Sequence, residues 1–203
     1  MAPDLDPVLA WVMTASWASF LAVWLAGLVY NLLRAPKCVA RRFSPAVFVG
    51  VAVAYVAPFV VPNRVWDALT FDQRSLQIAG LVILVAGTAF AIRARLALGT
   101  MWTNIPALRR EHELRTTGPY ALTRHPIYTG VLLMLVGTTL AFGAGSYLAA
   151  LVAGAVGLVQ NMRAEEKLLV QAFGERYEAY RRAVPALLPM PRMRRVRVLA
   201  QPH

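Results

Sequence analysis

The chain is short of cysteine, short of acidic residues, and free of charge over long stretches. Cys38 stands alone among 203 residues, so no intrachain disulfide can form and no cysteine-based metal site can be built. We read it as incidental and expect no metal. No internal repeat or low-complexity segment occurs. No strand–Gly-rich-turn–helix unit appears either, which excludes the dinucleotide-binding pattern of soluble enzymes. The first apolar segment lacks the basic start of a cleavable signal, is preceded by Asp4 and Asp6, and is too long for a signal's apolar core. It is expected to stay on the chain.

Charge is missing where apolar residues are concentrated. Residues 7–33, 43–63, 75–92 and 126–162 contain no Asp, Glu, Lys or Arg. The chain is 58% hydrophobic with a mean hydropathy of +0.53. A bilayer crossing needs roughly 20 apolar residues. The first three runs fit one crossing each. The fourth is too long for one, and Gly143-Ala144-Gly145-Ser146 near its middle predicts a tight turn between two crossings. The expected fold is an all-α polytopic membrane protein with about five helices, near 8–32, 44–62, 75–94, 126–142 and 147–162, in a single domain over 1–203.

The net charge of +11 comes from 21 basic against 10 acidic residues, and its distribution matters more than its size. All the basic residues except Arg64 and Arg74 lie in 34–42, 93–125 or the tail from 163 onward. The positive-inside rule makes that side cytoplasmic, with the N-terminus outside and the C-terminus inside. The protein is therefore expected in the inner or plasma membrane. The basic excess reads as topology signal and attraction to anionic lipids, with no nucleic-acid partner. Any cytosolic cofactor must be held by 93–125, by 163–191 and by the helix ends beside them. The basic tail 192–203, with Arg192, Arg194, Arg195 and Arg197, reads as a membrane-surface segment.

The tail opens with a helical pattern over 163–182. Val170, Phe173, Tyr177 and Tyr180 share one face, with Leu169 at its edge. Glu166 lies on that same face. A carboxylate centred on an apolar face is costly unless paired or bound, and Arg163, three residues earlier, could pair with it. A first-turn glutamate favoured by the helix dipole explains Glu165 about as well as function does. For Glu166 we favour function. Val184-Pro185, Pro189 and Pro191 end the pattern.

The 93–125 loop ends in Gly118-Pro119-Tyr120-Ala-Leu-Thr-Arg124-His125-Pro126-Ile-Tyr128-Thr-Gly130. Pro126 suits the first position of a helix, whose free N–H groups can receive an anion. Arg124 offers a planar cation suited to a carboxylate, and His125 a titratable donor or acceptor. Residue by residue, a membrane boundary explains these equally well: a snorkelling Arg124, a capping His125, an interfacial Tyr128. Their convergence on so small a polar surface favours a site.

The run G118-P-Y-x3-R124-H-P-x-Y128-x-G130 resembles the signature of the isoprenylcysteine carboxyl methyltransferase family and its phospholipid N-methyltransferase relatives. Arg163-x-Glu165-Glu166, followed by Phe173-Gly174-x-x-Tyr177-x-x-Tyr180 and Val184-Pro185, resembles that family's C-terminal block. Leu98-Gly99-x-x-Trp102 resembles its upstream element. The likeness covers about 80 to 190, and the chain is shorter than the eukaryotic enzymes, with fewer helices.

The resemblance implies S-adenosylmethionine (SAM) as methyl donor, leaving S-adenosylhomocysteine. It carries Gly118, Pro119, Tyr120, Arg124, His125, Pro126, Tyr128, Glu165 and Glu166 over to cofactor binding. It also implies a lipid-like acceptor entering sideways between helices. For a carboxylate acceptor, Arg163 or Arg124 would align it, with Asn104 assisting. For an amine, Glu166 or His125 would have to serve as base. The carboxyl reading is preferred, with a prenylcysteine, a fatty or isoprenoid acid and a phospholipid headgroup all open as acceptors.

Two rivals are weighed against it. An NADPH-dependent membrane reductase would set Glu165 and Glu166 beside the extra phosphate. A transporter or non-enzymatic membrane subunit would need ionisable residues inside its helices, and the predicted spans hold almost none, with Arg93 at the end of the third. Gly137, Gly154 and Gly157 permit close helix contacts but leave the oligomeric state open, and no obligate protein partner is expected.

Overall fold

Each charge-free run folds as helix, and the polar segments between them supply short turns and strands. The computed structural model describes residues 7–41, 45–103, 106–110 and 113–187. Along the chain come α1 (Pro7–Arg34), β1 (Cys38–Arg41), α2 (Ala46–Val60), α3 (Asn63–Ala68) and α4 (Arg74–Leu98). A 3₁₀ turn (Gly99–Met101), β2 (Ala107–Arg109) and a second 3₁₀ turn (Gly118–Ala121) follow. Then come α5 (Pro126–Ala141), α6 (Tyr147–Phe173) and α7 (Glu175–Ala183).

The outer surface is apolar. Trp11, Leu32, Phe48, Tyr55, Phe59 and Val82 are all well exposed, more greasy surface than a water-soluble monomer carries. Two helical stretches, Pro7–Arg34 and Arg74–Met101, are long and apolar enough to cross a membrane, while Phe48–Val60 and Pro126–Ala141 are apolar but shorter.

Inside, α4 and α5 pack antiparallel along a seam of glycines. Gly80 meets Gly137, and Gly87 meets Gly130. A Cβ at Gly137 would lie 2.5 Å from the Leu84 nitrogen and 2.6 Å from the Gly80 oxygen. With no competing hydrophobic drive between helices in lipid, such close backbone approach is what holds them together. Helix α1 covers the seam, placing Met13 and Phe20 against Leu84, Ala91 and Met134. Helix α2 lies on α6. At the turn end, the Phe71 N–H donates to the Gly143 oxygen at 2.9 Å and ties the segment before α4 to the α5–α6 hairpin. That hairpin turns at the Gly143–Ser146 stretch, as its residues predict.

Four expectations are corrected or refined. First, the fold is not purely helical: β1 and β2 form an antiparallel ribbon. These segments have backbone groups that no helix satisfies, so they pair with each other. Second, the run expected as a helix near 44–62 forms α2 over Ala46–Val60, with a further short helix after it. Pro58 lies inside α2, and Pro62 caps the separate α3. Third, the helix of the last apolar run and the start of the tail helix are one element, α6, which continues past 162 to Phe173. Glu165 and Glu166 therefore sit well inside a helix, which removes the first-turn dipole account of both. Fourth, the tail helix over 163–182 is broken at Gly174, whose φ of +49° favours glycine. Tyr177 and Tyr180 of α7 are nevertheless buried. Asn104, Pro189, Pro191 and the tail 192–203 lie outside the described residues.

The glycine seam gives a test. Gly137→Ala puts a methyl group into backbone, and should cost about 3 kcal/mol and visibly lower the thermal midpoint in detergent. Gly154→Ala meets only the flexible end of Leu135, at 2.6 Å, and should be close to neutral. Equal midpoints for the two variants would contradict the packing.

Candidate active site

The site is assembled around one turn, Thr123–Pro126, at the start of α5. Pro126 occupies the first helical position, where its missing N–H costs nothing. The anion was expected at the free N–H groups of the helix start, and the N–H groups of Arg124 and His125 just before it are already used. They donate to Pro185 and Ala186 oxygens at 2.9 and 3.0 Å. The Thr123 hydroxyl also donates to Ala186, and the Thr129 hydroxyl to Leu187. The segment after α7 is thus strapped across the turn. The α5 donors without a helical partner are those of its first residues, such as Ile127 and Tyr128.

Glu166 locks this arrangement. Its Oε1 accepts from Arg124 Nε at 3.0 Å and Nη2 at 2.7 Å, and lies 3.2 Å from His125 Nε2. The remaining Arg124 nitrogen, Nη1, donates to the carbonyls of Arg181 and Val184. On the other side of the imidazole, His125 Nδ1 is 3.7 Å from Glu165 Oε2. His125 is buried and stacks on Tyr128, with ring centroids 5.5 Å apart. The Tyr180 hydroxyl donates to the Tyr120 carbonyl, fixing α7 to the preceding 3₁₀ turn.

Burial would raise the Glu166 pKa, but the donors from His125 and Arg124 outweigh it and hold the carboxyl at about 2. Burial would lower the His125 pKa, but Glu165 and Glu166 outweigh it and raise the imidazole above its usual value. Burial raises the phenols of Tyr120, Tyr177 and Tyr180, so they stay neutral.

Beside this cluster lies a cavity of about 240 Å³ with two kinds of lining. Glu165, His125, Tyr120, Tyr128 and Tyr177 give it polar surface. Phe20 and Trp24 of α1, Val131 of α5 and Leu158 of α6 give it apolar surface. Glu113 and Arg115, paired with each other at 2.9 Å, also line it.

The structure brings together most of the residues singled out from sequence. Tyr120, Arg124, His125, Pro126, Tyr128 and Glu165 all line the cavity. Gly118 and Pro119 form the 3₁₀ turn that carries Tyr120. Glu166 stands behind the wall, holding Arg124 and His125. Its partner is not Arg163, which is exposed and does not line the cavity. Arg124 and His125 occupy the Glu166 oxygen in its place. Asn104 falls outside the described residues.

Sequence reasoning missed three features. Asn161 lines the cavity one turn before Glu165. Arg95, rather than the exposed Arg93, is buried. Its guanidinium stacks on Trp102 at 4.2 Å and occupies the space left by Gly27, where a Cβ would lie 2.3 Å from Nη2. Asn31 is buried too and donates to the Trp102 carbonyl at 2.9 Å. The i, i+3, i+7 spacing of Leu158, Asn161 and Glu165 was the available signal for the first. Arg95 and Asn31 carried none.

The ion cluster has a pH signature. Glu166, with its pKa depressed to about 2, adds stability above the unfolded carboxyl value of about 4.3 that is lost as pH falls through 2. His125, with its pKa raised, adds stability below about 6.5 that is lost as pH rises through its folded value. Glu166→Gln should therefore cost most, about 3 kcal/mol, between these limits. The gap between wild type and variant in thermal midpoint should narrow at both acid and alkaline pH. A gap constant from pH 3 to 9 would count against the cluster.

With that geometry in hand, the similarities are informative. The family model for phospholipid methyltransferases matches residues 76–176. The protein-S-isoprenylcysteine O-methyltransferase of Schizosaccharomyces pombe is 30% identical over 188 residues, spanning 86% of this chain and 72% of that one. Protein-S-isoprenylcysteine O-methyltransferase B of Arabidopsis thaliana is 33% identical over 113 residues, 54% of this chain and 57% of that one. A solved structure of the eukaryotic intramembrane Ras methyltransferase ICMT (isoprenylcysteine carboxyl methyltransferase) superposes with a TM-score of 0.54. It has 22% identity over 88% of this chain and 68% of that one, a likeness of fold, and the fold is an integral membrane one. The mostly helical membrane architecture, the aligned length and the relatives' shared chemistry lead to one assignment: the chain belongs to the isoprenylcysteine O-methyltransferase family and is a methyltransferase.

Proposed function

We propose that this protein methylates the carboxylate of a lipophilic, isoprenylcysteine-like acceptor, with SAM as donor. The observation that carries the proposal is the continuity of one cavity from the Glu165 carboxylate to the Phe20–Trp24 wall. A polar donor and a greasy acceptor need such a pair of adjoining surfaces. We read the chain as crossing the bilayer about five times, N-terminus outside, with the polar lining of the cavity facing the cytoplasm. The aligned relatives' names support an isoprenylcysteine acceptor.

The donor set fits SAM. Glu165 offers acceptor oxygens for an ammonium or ribose hydroxyls, and Tyr120, Tyr128 and Tyr177 offer aromatic surface for adenine. The first-turn N–H groups of α5 and Arg115 offer donors for a carboxylate. Bound there, SAM supplies an electrophilic methyl group. The chain's own task is to exclude water, hold the acceptor in line and keep the tyrosines neutral. That is catalysis by positioning and desolvation.

The same geometry weighs against an amine acceptor. An ammonium must lose a proton before it can attack. Both candidate bases are already engaged: Glu166 by Arg124 and His125, and His125 by two carboxylates that favour its cationic form. A carboxylate is ionised at pH 7 and needs neither. The phospholipid methyltransferase family match over residues 76–176 keeps headgroup N-methylation as a second reading. An NADPH-dependent reductase is disfavoured, because Glu165 faces the space its phosphate would enter.

Calorimetry on purified protein in detergent separates these readings. S-adenosylhomocysteine should bind, NADPH should not, and Glu165→Ala should weaken the former at least about tenfold, as expected for loss of a charged hydrogen-bond partner. Methyl transfer to N-acetyl-S-farnesylcysteine but not to phosphatidylethanolamine vesicles would support the carboxyl reading. The opposite selectivity would overturn it, and binding of NADPH alone would overturn the methyltransferase assignment of this site.

A further inference from the structure

Asn161 lines the cavity between an apolar and an acidic neighbour on α6. The cavity face of α6 carries Leu158, then Asn161, then Glu165, at the spacing that stacks side chains on one side of a helix. Chemically this is apolar, neutral amide, carboxylate. On α5 the change runs from His125 and Tyr128 to Val131. Counted from the hairpin turn, Asn161 comes about level with Ile127 and Tyr128, at the same boundary. It is half-buried and close to the membrane, where an unused amide is costly.

We infer that Asn161 is a catalytic residue that binds and orients the acceptor's carboxylate, an inference that rests on the carboxyl-methyltransferase reading above. An acceptor drawn in from lipid brings an anion into a partly desolvated space beside Glu165, a like charge. It needs a donor there. Arg124 cannot turn to it without releasing Glu166, Arg181 and Val184, all of which it already serves. Arg163 is exposed and off the cavity. Asn161 supplies N–H donors without charge. A neutral donor holds one carboxylate oxygen in place and leaves the other free to react, whereas a guanidinium would pair both oxygens and stabilise the anion before reaction. In the step itself, that free oxygen donates an electron pair to the methyl carbon and the carbon–sulfur bond breaks. Its pair stays on sulfur, yielding an ester and a neutral thioether, and no proton moves.

The test uses full-length protein in nanodiscs, with N-acetyl-S-farnesylcysteine as acceptor and calorimetry of S-adenosylhomocysteine as an independent readout. Asn161→Ala should lower kcat/KM about 100-fold, the scale of losing one oriented donor. Asn161→Asp, the same shape with a like charge, should lower it further, and Asn161→Ser should recover part of the loss. All three should bind S-adenosylhomocysteine within about twofold of wild type, which also shows that they fold. Wild-type turnover by Asn161→Asp would overturn the inference. So would a parallel loss of S-adenosylhomocysteine binding, which would make Asn161 a cofactor or structural group. A wild-type protein that does not methylate the farnesylated carboxylate fails earlier and separately, and takes the carboxyl reading down with it.

Discussion

One carboxylate oxygen, Oε1 of Glu166, holds the site together. It accepts from both Arg124 and His125, and every other polar contact follows from that. Helix α6 runs past the apolar stretch and carries Glu166 to a place where an unpaired charge would be costly. Pairing with Glu166 fixes the Arg124 fork. The fork's free end then gathers the carbonyls at the close of α7. Those carbonyls bring Val184–Leu187 back over the start of α5, where the backbone of Arg124 and His125 donates to it. His125, now clamped, presents its second nitrogen to Glu165 at the cavity wall. A charge pair between residues 42 positions apart thus organises a loop, two helices and a terminal strap.

That polar lock needs a rigid base, and the glycine seam supplies it. Backbone contact between α4 and α5 at Gly80, Gly87, Gly130 and Gly137 leaves no freedom for one helix to slide past the other. The end of α4, with Arg95 and the Leu98–Trp102 segment, is thereby held at a set distance from the His125 turn. The two helix ends form facing walls of the same cavity. Trp102 is steadied from behind by Arg95 and Asn31 and meets Trp24 edge-on at 6.0 Å. Small residues set the frame, and aromatic residues line the space within it.

Much of this was legible in the sequence, and the exceptions share a cause. Apolar runs and the Gly143–Ser146 turn are local signals and gave the helix starts, and every end except that of α6, to within a few residues. The convergence of Arg124-His125-Pro126 with Glu165-Glu166 was legible because so little polar surface existed for them to occupy. The Glu166 partner was not legible: Arg163 was the near choice in sequence, and Arg124 wins by folding. The strap is made with backbone carbonyls, which have no sequence signature. Arg93 and Arg95 look alike in a list, and only the rotation of α4 sends one outward and buries the other. Helix beyond 162 was read from the pattern over 163–182, and what was not read is that it continues the last apolar run without a break.

Charged groups at this site serve architecture more than proton chemistry. Arg124 and His125 both serve the Glu166 oxygen, which holds the Glu166 carboxyl down at about 2 and helps raise the His125 imidazole above its usual value. An enzyme that had to deprotonate its nucleophile could not commit its only well-placed base and acid in this way. An enzyme whose nucleophile arrives already ionised can. Under the carboxyl methylation proposed above, the demand on the site is to receive an anion from lipid, orient it without quenching it, and keep water out. Neutral donors, buried phenols and an aromatic-walled cavity answer that demand, and the fixed charges stand behind them as the frame.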